Sequence, residues 1–448
     1  MASLTGYSSM SDVLVASLLP VMLVYLGFRL SVFDKDVIHS IWLDLWSLSN
    51  LGATTNIDSR NDPFSIQTSL TAYSSYRALS LDELSRMRAS YMSIGRTHKR
   101  IGYEIGYPKK LDKLAELIQV NAKVTDGIAA VMRRIYNQGT VSSVMLWPEL
   151  RPTTKEIHID SHSLSRIRES LKHFVRDWSN AGIVERSVIF EPILSVFSML
   201  SAPARSQNRV LFPGSGLSRL AYEVSQLGYD VTACELSAYM NGAFRFLLDP
   251  EMTKTVNQHE IHPYAHWWSH SRNATDLFRG IRFPDVIPHL AADGTAGLHL
   301  KEGNFLELDV TNSSANSTSR TTEGYDFVVT LFFIDTSVNI IHTLEHIHRL
   351  LKPGGTWVNL GPLLWCSSAQ ARLELTLEEV FNVMDVVGFS IVGGRNGNDD
   401  EEPNCMKRRT ISCEYTHDDK AMMRWIYEAE FWVARKAISR NHAGILST

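Results

Sequence analysis

Three sets of residues in this chain have the types and spacing to do chemistry. Gly214 and Gly216 follow the apolar run 210–212 almost at once. Glycines at such a point let the backbone turn tightly and approach a ligand with no Cβ in the way. Glu235 closes the next apolar run, about 20 residues after the first glycine, where a carboxylate accepts hydrogen bonds from two ribose hydroxyls. Asp335 ends a third run, FVVTLFFID at 327–335. An acid there is either a helix N-cap or a group that orients a substrate and handles its proton. Finally, His262, His266 and His270 recur every four residues. A helix would align them, and imidazoles one turn apart can share a metal ion. Pro263 and the aromatic neighbours favour a packed lid instead, and no metal is expected.

These residues need a scaffold, and the surrounding pattern supplies one. Residues 210–212 predict a buried strand. A helical pattern begins near Leu217, with Leu220, Ala221 and Val224 on the same face. A second strand, 230–233, leads to Glu235. Strand, glycine turn, helix, strand and acid form the first half of a nucleotide-binding α/β sheet. A dinucleotide fold prefers a third glycine near 219, and Arg219 stands there. Further on, LKPGG at 351–355 predicts a turn before a strand at 356–360. The end predicts a helix at 376–387, a strand at 389–392, and strands at 410–415 and 429–434 joined by a helix over 418–427. Upstream, apolar residues three and four apart predict helices across 79–135 and 163–200, separated by a polar linker at 151–162. On the second of these, His173 and Arg176 share a face.

Composition narrows the class. At 448 residues, with 44% apolar and 21% charged residues, the chain is globular in character. A net charge of −4 offers no basic field for nucleic acid. Cys234, Cys366, Cys405 and Cys413 show no CxxC spacing, which disfavours a disulfide framework or structural zinc and fits a reducing compartment. The run 13–30 is apolar for about 16 residues, short of the roughly 20 of a spanning helix, and Pro20 interrupts it. Its three readings are a membrane anchor, an apolar helix packed on the protein and a targeting segment. Residues 311–323 are polar and of low complexity, as in a surface loop.

The strand order, the acid after the third run and the Pro-Gly-Gly turn resemble class I S-adenosylmethionine-dependent methyltransferases. More specifically, FVRDWSNAGIVER, VLFPGSGLSRLAYEVSQLGYDVTACELSAYM, VVTLFFIDT, LLKPGGTWVNLGPLL and YTHDDKAMMRWIYEAEFWVARK resemble the carnosine N-methyltransferase (N2227-like) family. The resemblance implies an α/β fold: a Rossmann-like seven-stranded sheet with an N-terminal α-helical module. The division is then 1–36 (apolar segment), 37–162 (helical module) and 163–448 (catalytic domain, with an insertion at 249–300).

That family uses S-adenosylmethionine to methylate an imidazole nitrogen of carnosine. By motif position, Arg176 then binds the carboxylate end of the methyl donor. His173 stands where the family has glutamine. Gly214, Gly216 and Leu331 line the methyl donor, Glu235 holds its ribose, and Asn304 with Phe305 meets its adenine. Asn304 replaces the usual aspartate, and its carbonyl can still accept from an exocyclic amino group. Asp335 becomes the catalytic and substrate-binding carboxylate, with Tyr415 beside the substrate. Trp365-Cys366 replaces a Tyr-His pair whose histidine contacts the peptide, so Cys366 is a substrate-site position that separates this chain from its relatives. The expected partner is a small molecule or dipeptide and not nucleic acid. The catalytic domain is expected in the cytoplasm, with membrane attachment through 13–30 and a homodimer as open options. Methylation of another small molecule or a protein histidine, and a non-catalytic membrane-attached scaffold, are the alternatives.

Overall fold

The computed structural model describes residues 65–137, 161–292, 295–309, 324–365, 371–395 and 402–437. The apolar run 13–30, the loop 311–323 and Cys366 lie outside these residues. Among the described residues no helix is long and apolar enough to cross a membrane.

The longer helices are α1 (Ile66–Ser93), α2 (Arg96–Glu104), α3 (Tyr107–Asn137), α4 (Ser161–Trp178), α5 (Ile183–Ser198), α6 (Arg219–Gln226), α7 (Ala238–Leu248), α8 (Ile340–Leu350) and α9 (Leu377–Val387). The strands are β1 (Arg209–Pro213), β2 (Asp230–Glu235), β3 (His259–Ile261), β4 (Ile281–Phe283), β5 (Leu298–Glu302), β6 (Tyr325–Leu331), β7 (Leu351–Gly361), β8 (Phe389–Ile391), β9 (Arg409–Cys413) and β10 (Tyr427–Lys436). The main sheet runs β5-β2-β1-β6-β7-β10-β8, with β9 also on β10, making eight strands. β5, β2, β1, β6 and β7 are mutually parallel, and β10 is antiparallel to β7, β8 and β9. This is the class I methyltransferase order, and β9 shares the outer edge of β10 with β8. Connections leave β1 in opposite directions along the sheet, so a crevice opens at the carboxyl ends of β1, β2 and β6.

Two details correct the sequence reading. Pro353-Gly354-Gly355 is not a turn ahead of the strand. It lies inside β7, where the pairing with β6 shifts register between Tyr325 and Phe327. The glycines let the strand bulge without ending. Residues 418–426 contain no helix and form turns and extended chain leading into β10. Their apolar residues Met422, Met423, Trp425 and Ile426 are exposed, so no core face existed to draw them into a helix.

The N-terminal helices share one apolar core with the sheet. Tyr73 donates to the Tyr239 carbonyl (2.9 Å), and Tyr136 donates to Glu302 Oε2 (2.6 Å). Asn121 exchanges two hydrogen bonds with the backbone of His262, at 2.7 and 3.1 Å. The β3–β4 hairpin within the insertion is thereby fastened to α3. His262, His266 and His270 are not aligned on a helix. The ring of His262 bonds the Phe278 carbonyl (2.9 Å), while His270 is exposed with φ +59°.

The feature that most directly positions the site is the end of α4. An α-helix leaves its last carbonyls without helical partners, and here residues from distant parts of the chain satisfy them. Arg186 Nη1 donates to the carbonyls of Arg176 (2.6 Å) and Ser179 (2.7 Å). Arg219 Nη1 donates to the Asp177 carbonyl (3.0 Å), and the Asp285 N–H donates to that of Trp178 (2.9 Å). The Asp285 carboxylate pairs with both arginines, at 2.9 and 2.6 Å. Trp178 is fully buried and donates through its indole to the Leu217 carbonyl in the glycine turn (2.8 Å).

Two substitutions test this junction. Asp285→Ala leaves the nearly buried Arg186 without its anion and Arg219 with Glu223 alone, and should cost about 3–5 kcal/mol in a denaturant unfolding experiment. A Cβ at Gly182 would collide with the carbonyl oxygens of Val175 and Arg176, so Gly182→Ala should cost about 1–3 kcal/mol. Unchanged denaturation midpoints would show that the helix end is held some other way.

Candidate active site

The floor of the crevice is the glycine turn. Gly214 and Gly216 have φ of +62° and +55°, conformations that a side chain disfavours. The ring of Phe333 lies where a Cβ on Gly214 would go, so only glycine fits there. Glu235 accepts from the N–H of Gly216 (2.7 Å) through one oxygen and from that of Ser237 (2.7 Å) through the other. It therefore ties together the turns that follow β1 and β2. Burial raises its pKa, and these backbone N–H groups partly offset the rise. Each carboxylate oxygen has more than one lone pair, leaving acceptors for hydroxyl groups.

One wall comes from the end of α4. Arg176 makes a two-pronged pair with the adjacent Asp177, Nε to Oδ1 at 2.7 Å and Nη2 to Oδ2 at 2.9 Å. Burial alone would raise the Asp177 pKa, but Arg176 and His173 outweigh it and hold the carboxyl well below the usual range. His173 Nδ1 lies 3.5 Å from Asp177 Oδ2. Burial and the neighbouring guanidinium depress its pKa. The third guanidinium nitrogen, Arg176 Nη1, is buried and makes no hydrogen bond among the described residues. It lines the cleft with Gly214, Ser215, Gly216, Leu331 and Tyr415. A buried donor without a partner is costly, and a carboxylate-bearing ligand would satisfy it.

The opposite side is the β6 exit. Leu331 ends β6 paired to Leu360, and the next residue, Phe332, has φ +50°. That strained backbone is held by the Phe332 N–H donating to the Leu360 carbonyl (2.9 Å), packed against Gly361. Phe332 carries Tyr415 stacked on its ring, centroids 4.2 Å apart. The Arg176 guanidinium lies over the other aromatic partner of this stack, 4.3 Å from the Tyr415 centroid. Phe333 meets Phe305 edge to face at 5.5 Å. Phe305 is held from behind by His346, which donates to its carbonyl (2.8 Å). Asn304 caps the short turn at Phe305–Glu307, accepting from the Leu306 N–H (3.0 Å) with one lone pair of its carbonyl.

Asp335 lies in the turn Ile334–Thr336, two residues beyond Phe333 and its contact with the glycine turn. It is not the cap of the following helix, because Asn339 caps α8. Instead Asp335 Oδ2 accepts from the Leu364 N–H beyond β7 (3.0 Å). Burial pushes its pKa up to about 6, despite that hydrogen bond.

Of the residues singled out in the sequence, Arg176, Gly214, Gly216, Leu331 and Tyr415 line one cleft. His173 packs edge-on against Tyr415, Glu235 accepts from the Gly216 N–H, and Asn304, Phe305 and Asp335 lie on the turns after β5 and β6. Cys366 is outside the described residues. The sequence reading missed Asp177, Phe333, Arg186 and Asp285. The signal for one supporting residue was visible: Arg219 stood where a third glycine was expected.

S-adenosylmethionine fits this donor set. The unpartnered Arg176 Nη1 suits its carboxylate, Glu235 its ribose hydroxyls, and the Gly214 surface a close backbone approach.

Comparison with known proteins identifies the family. A family model described as carnosine N-methyltransferase matches residues 153–438. Carnosine N-methyltransferase of Mus musculus is 29% identical over 378 residues, covering 82% of this chain and 84% of that protein. The Schizosaccharomyces pombe carnosine N-methyltransferase is 28% identical over 384 residues, covering 82% and 94%. Among solved structures, magnesium protoporphyrin IX methyltransferase from Synechocystis PCC 6803 is 12% identical, covers 62% of this chain and 95% of its own, and superposes with a TM-score of 0.33. With a family model spanning most of its length, the chain belongs to the carnosine N-methyltransferase family and is an S-adenosylmethionine-dependent methyltransferase.

Proposed function

We propose that this enzyme methylates an imidazole nitrogen of carnosine or a related small histidine-containing peptide. The observation that carries this reading is Asp335: a buried carboxylate two residues beyond Phe333, whose ring packs on Gly214, anchored by the Leu364 N–H, with its pKa raised to about 6. When bound, S-adenosylmethionine supplies an electrophilic methyl group on a sulfonium. The protein's task is to present a neutral nitrogen to it. An unperturbed imidazole has a pKa of about 6.5, so much of it is already neutral near pH 7. The ionised Asp335 accepts the N–H of the opposite ring nitrogen, fixing the tautomer and stabilising the imidazolium that forms. Arg176 holds the carboxylate end of the methyl donor, Glu235 its ribose, and Asn304 with Phe305 its adenine. Tyr415 covers the cleft on the substrate side. Orientation should supply most of the acceleration, because the methyl donor is intrinsically reactive.

Cys366 supports a second reading at the level of substrate. It replaces the family histidine that contacts the peptide, so another imidazole compound or a protein histidine is the alternative acceptor. Mass spectrometry of products from a panel including carnosine, free histidine and histidine-containing peptides separates the two. Methylated carnosine supports the first reading; methylation only of larger peptides supports the second.

Asp335→Asn should lower kcat on the order of a hundredfold while leaving calorimetric affinity for S-adenosylmethionine intact. In the wild type, kcat/KM should rise with pH through about 6, as Asp335 ionises. Stability runs the other way. An acid whose folded pKa is raised contributes most below its ordinary value, and that contribution is lost as pH rises to about 6. Asp335→Asn should therefore raise the Tm at pH 8 and have little effect at pH 4. A lower Tm at pH 8 would show that the carboxylate is structural.

A further inference from the structure

Tyr415 sits on a loop with an unusual anchor. Glu185, in the first turn of α5, has a side chain only 7% exposed. Its Oε1 accepts from the Thr416 N–H at 2.5 Å, and its Oε2 lies 3.0 Å from His417 Nδ1. The other ring nitrogen, His417 Nε2, lies 2.9 Å from Glu414 Oε2. The imidazolium hydrogen-bonds Glu185 and pairs by charge with Glu414, and the neutral ring loses the charge that faces both carboxylates. Thr416, between Tyr415 and His417, has φ +50°. A β-branched residue there is strained and persists only where its surroundings impose it.

We propose that Glu185 and His417 are positioning residues: they hold Thr416 in its strained turn, aim Tyr415 over the cleft, and release it when His417 loses its proton. The proposal rests on the reading of Tyr415 as the cover on the substrate side. The charged groups facing His417 come from α5, from its own loop and from the insertion, while Arg176, His173 and Phe332 pack on Tyr415 itself. Glu185 faces His417 from α5, and Glu414 and Asp419 face it from its own loop. Arg424 pairs with Glu414. From the insertion, Tyr264 donates to the His417 carbonyl (3.2 Å), and Arg279 pairs with Asp418 and Asp419. The hydrogen bond to Glu185 leads the rise in the His417 pKa, against its burial. The stabilisation is complete below the ordinary histidine value and is lost as pH rises through the raised one. Deprotonation turns one N–H into a lone pair facing a carboxylate. The loop loses a latch, and Tyr415 loses its aim.

The test uses the full chain, wild type, Glu185→Gln and His417→Gln. Histidine-labelled NMR should show the wild-type His417 titrating above the ordinary value of about 6.5, and returning toward it in Glu185→Gln. Wild-type kcat/KM for the acceptor should fall on the alkaline side. In both variants kcat/KM should drop on the order of ten- to a hundredfold, without that alkaline fall and with affinity for S-adenosylmethionine retained. An ordinary wild-type titration of His417, or variants that keep the alkaline limb, would overturn the clamp. A purely structural role would lower the Tm and leave the limb in place. Should carnosine not be methylated at all, the substrate reading fails separately. The NMR titration, with hydrogen exchange at 414–419 on either side of the His417 transition, still decides the clamp: exchange must accelerate above it.

Discussion

The active site depends on how the end of α4 is closed. Four successive carbonyls, those of Arg176, Asp177, Trp178 and Ser179, receive hydrogen bonds from Arg186, Arg219 and Asp285. Those three residues come from the next helix, from the glycine turn's own helix and from the insertion. One helix terminus thereby registers three separate parts of the chain against each other. Buried cations at a helix C-terminus are favoured by its partial negative charge, and Asp285 together with Glu223 balances the two that are provided here. The side chain of Arg176 is presented to the cleft from this fixed backbone. Its placement is inherited from Arg186, Arg219 and Asp285, of which Arg219 also lines the cleft.

Three buried carboxylates then serve three purposes because their surroundings differ. Asp177 sits against Arg176 and is locked as an anion. Glu235 is buried but receives backbone N–H groups on both oxygens, which makes it a rigid acceptor. Among the described residues Asp335 pairs with no cation and accepts from the Leu364 N–H, so burial dominates and its pKa rises to about 6, in the range of an imidazole. Matching the affinity of two groups for a proton is what lets one orient the other without holding it irreversibly.

Much of this was legible in the sequence, for identifiable reasons. β1 read correctly as a short apolar run before a glycine, and β2 as a short strand leading to Glu235; the run at 327–335 was read as strand throughout, but β6 ends at Leu331 and Asp335 lies in the turn beyond it. The glycine turn, Glu235 and Asp335 read from the ends of those runs. The bulge in β7 did not, because Pro-Gly-Gly has the same composition whether it stops a strand or bends one. Residues 418–426 looked helical from their apolar residues, but that pattern cannot say whether a core exists to receive them. Asp177 was passed over because adjacent helix positions normally face apart; its pairing with Arg176 depends on burial. The closure of α4 depends on Asp285 meeting residues far away in the chain, and no local pattern encodes such a meeting.

The shared core of the N-terminal helices and the sheet has a consequence for biosynthesis. Gly127 packs under Phe246, Met132 under Gly242, and Tyr73 bonds the backbone of Tyr239. Translation reaches the end of α3 more than a hundred residues before α7 is complete. At roughly 5–20 residues per second, the apolar face of the nascent helices waits about 5–20 s for its cover. During that interval the apolar face that α7 will cover is open to ribosome-associated chaperones.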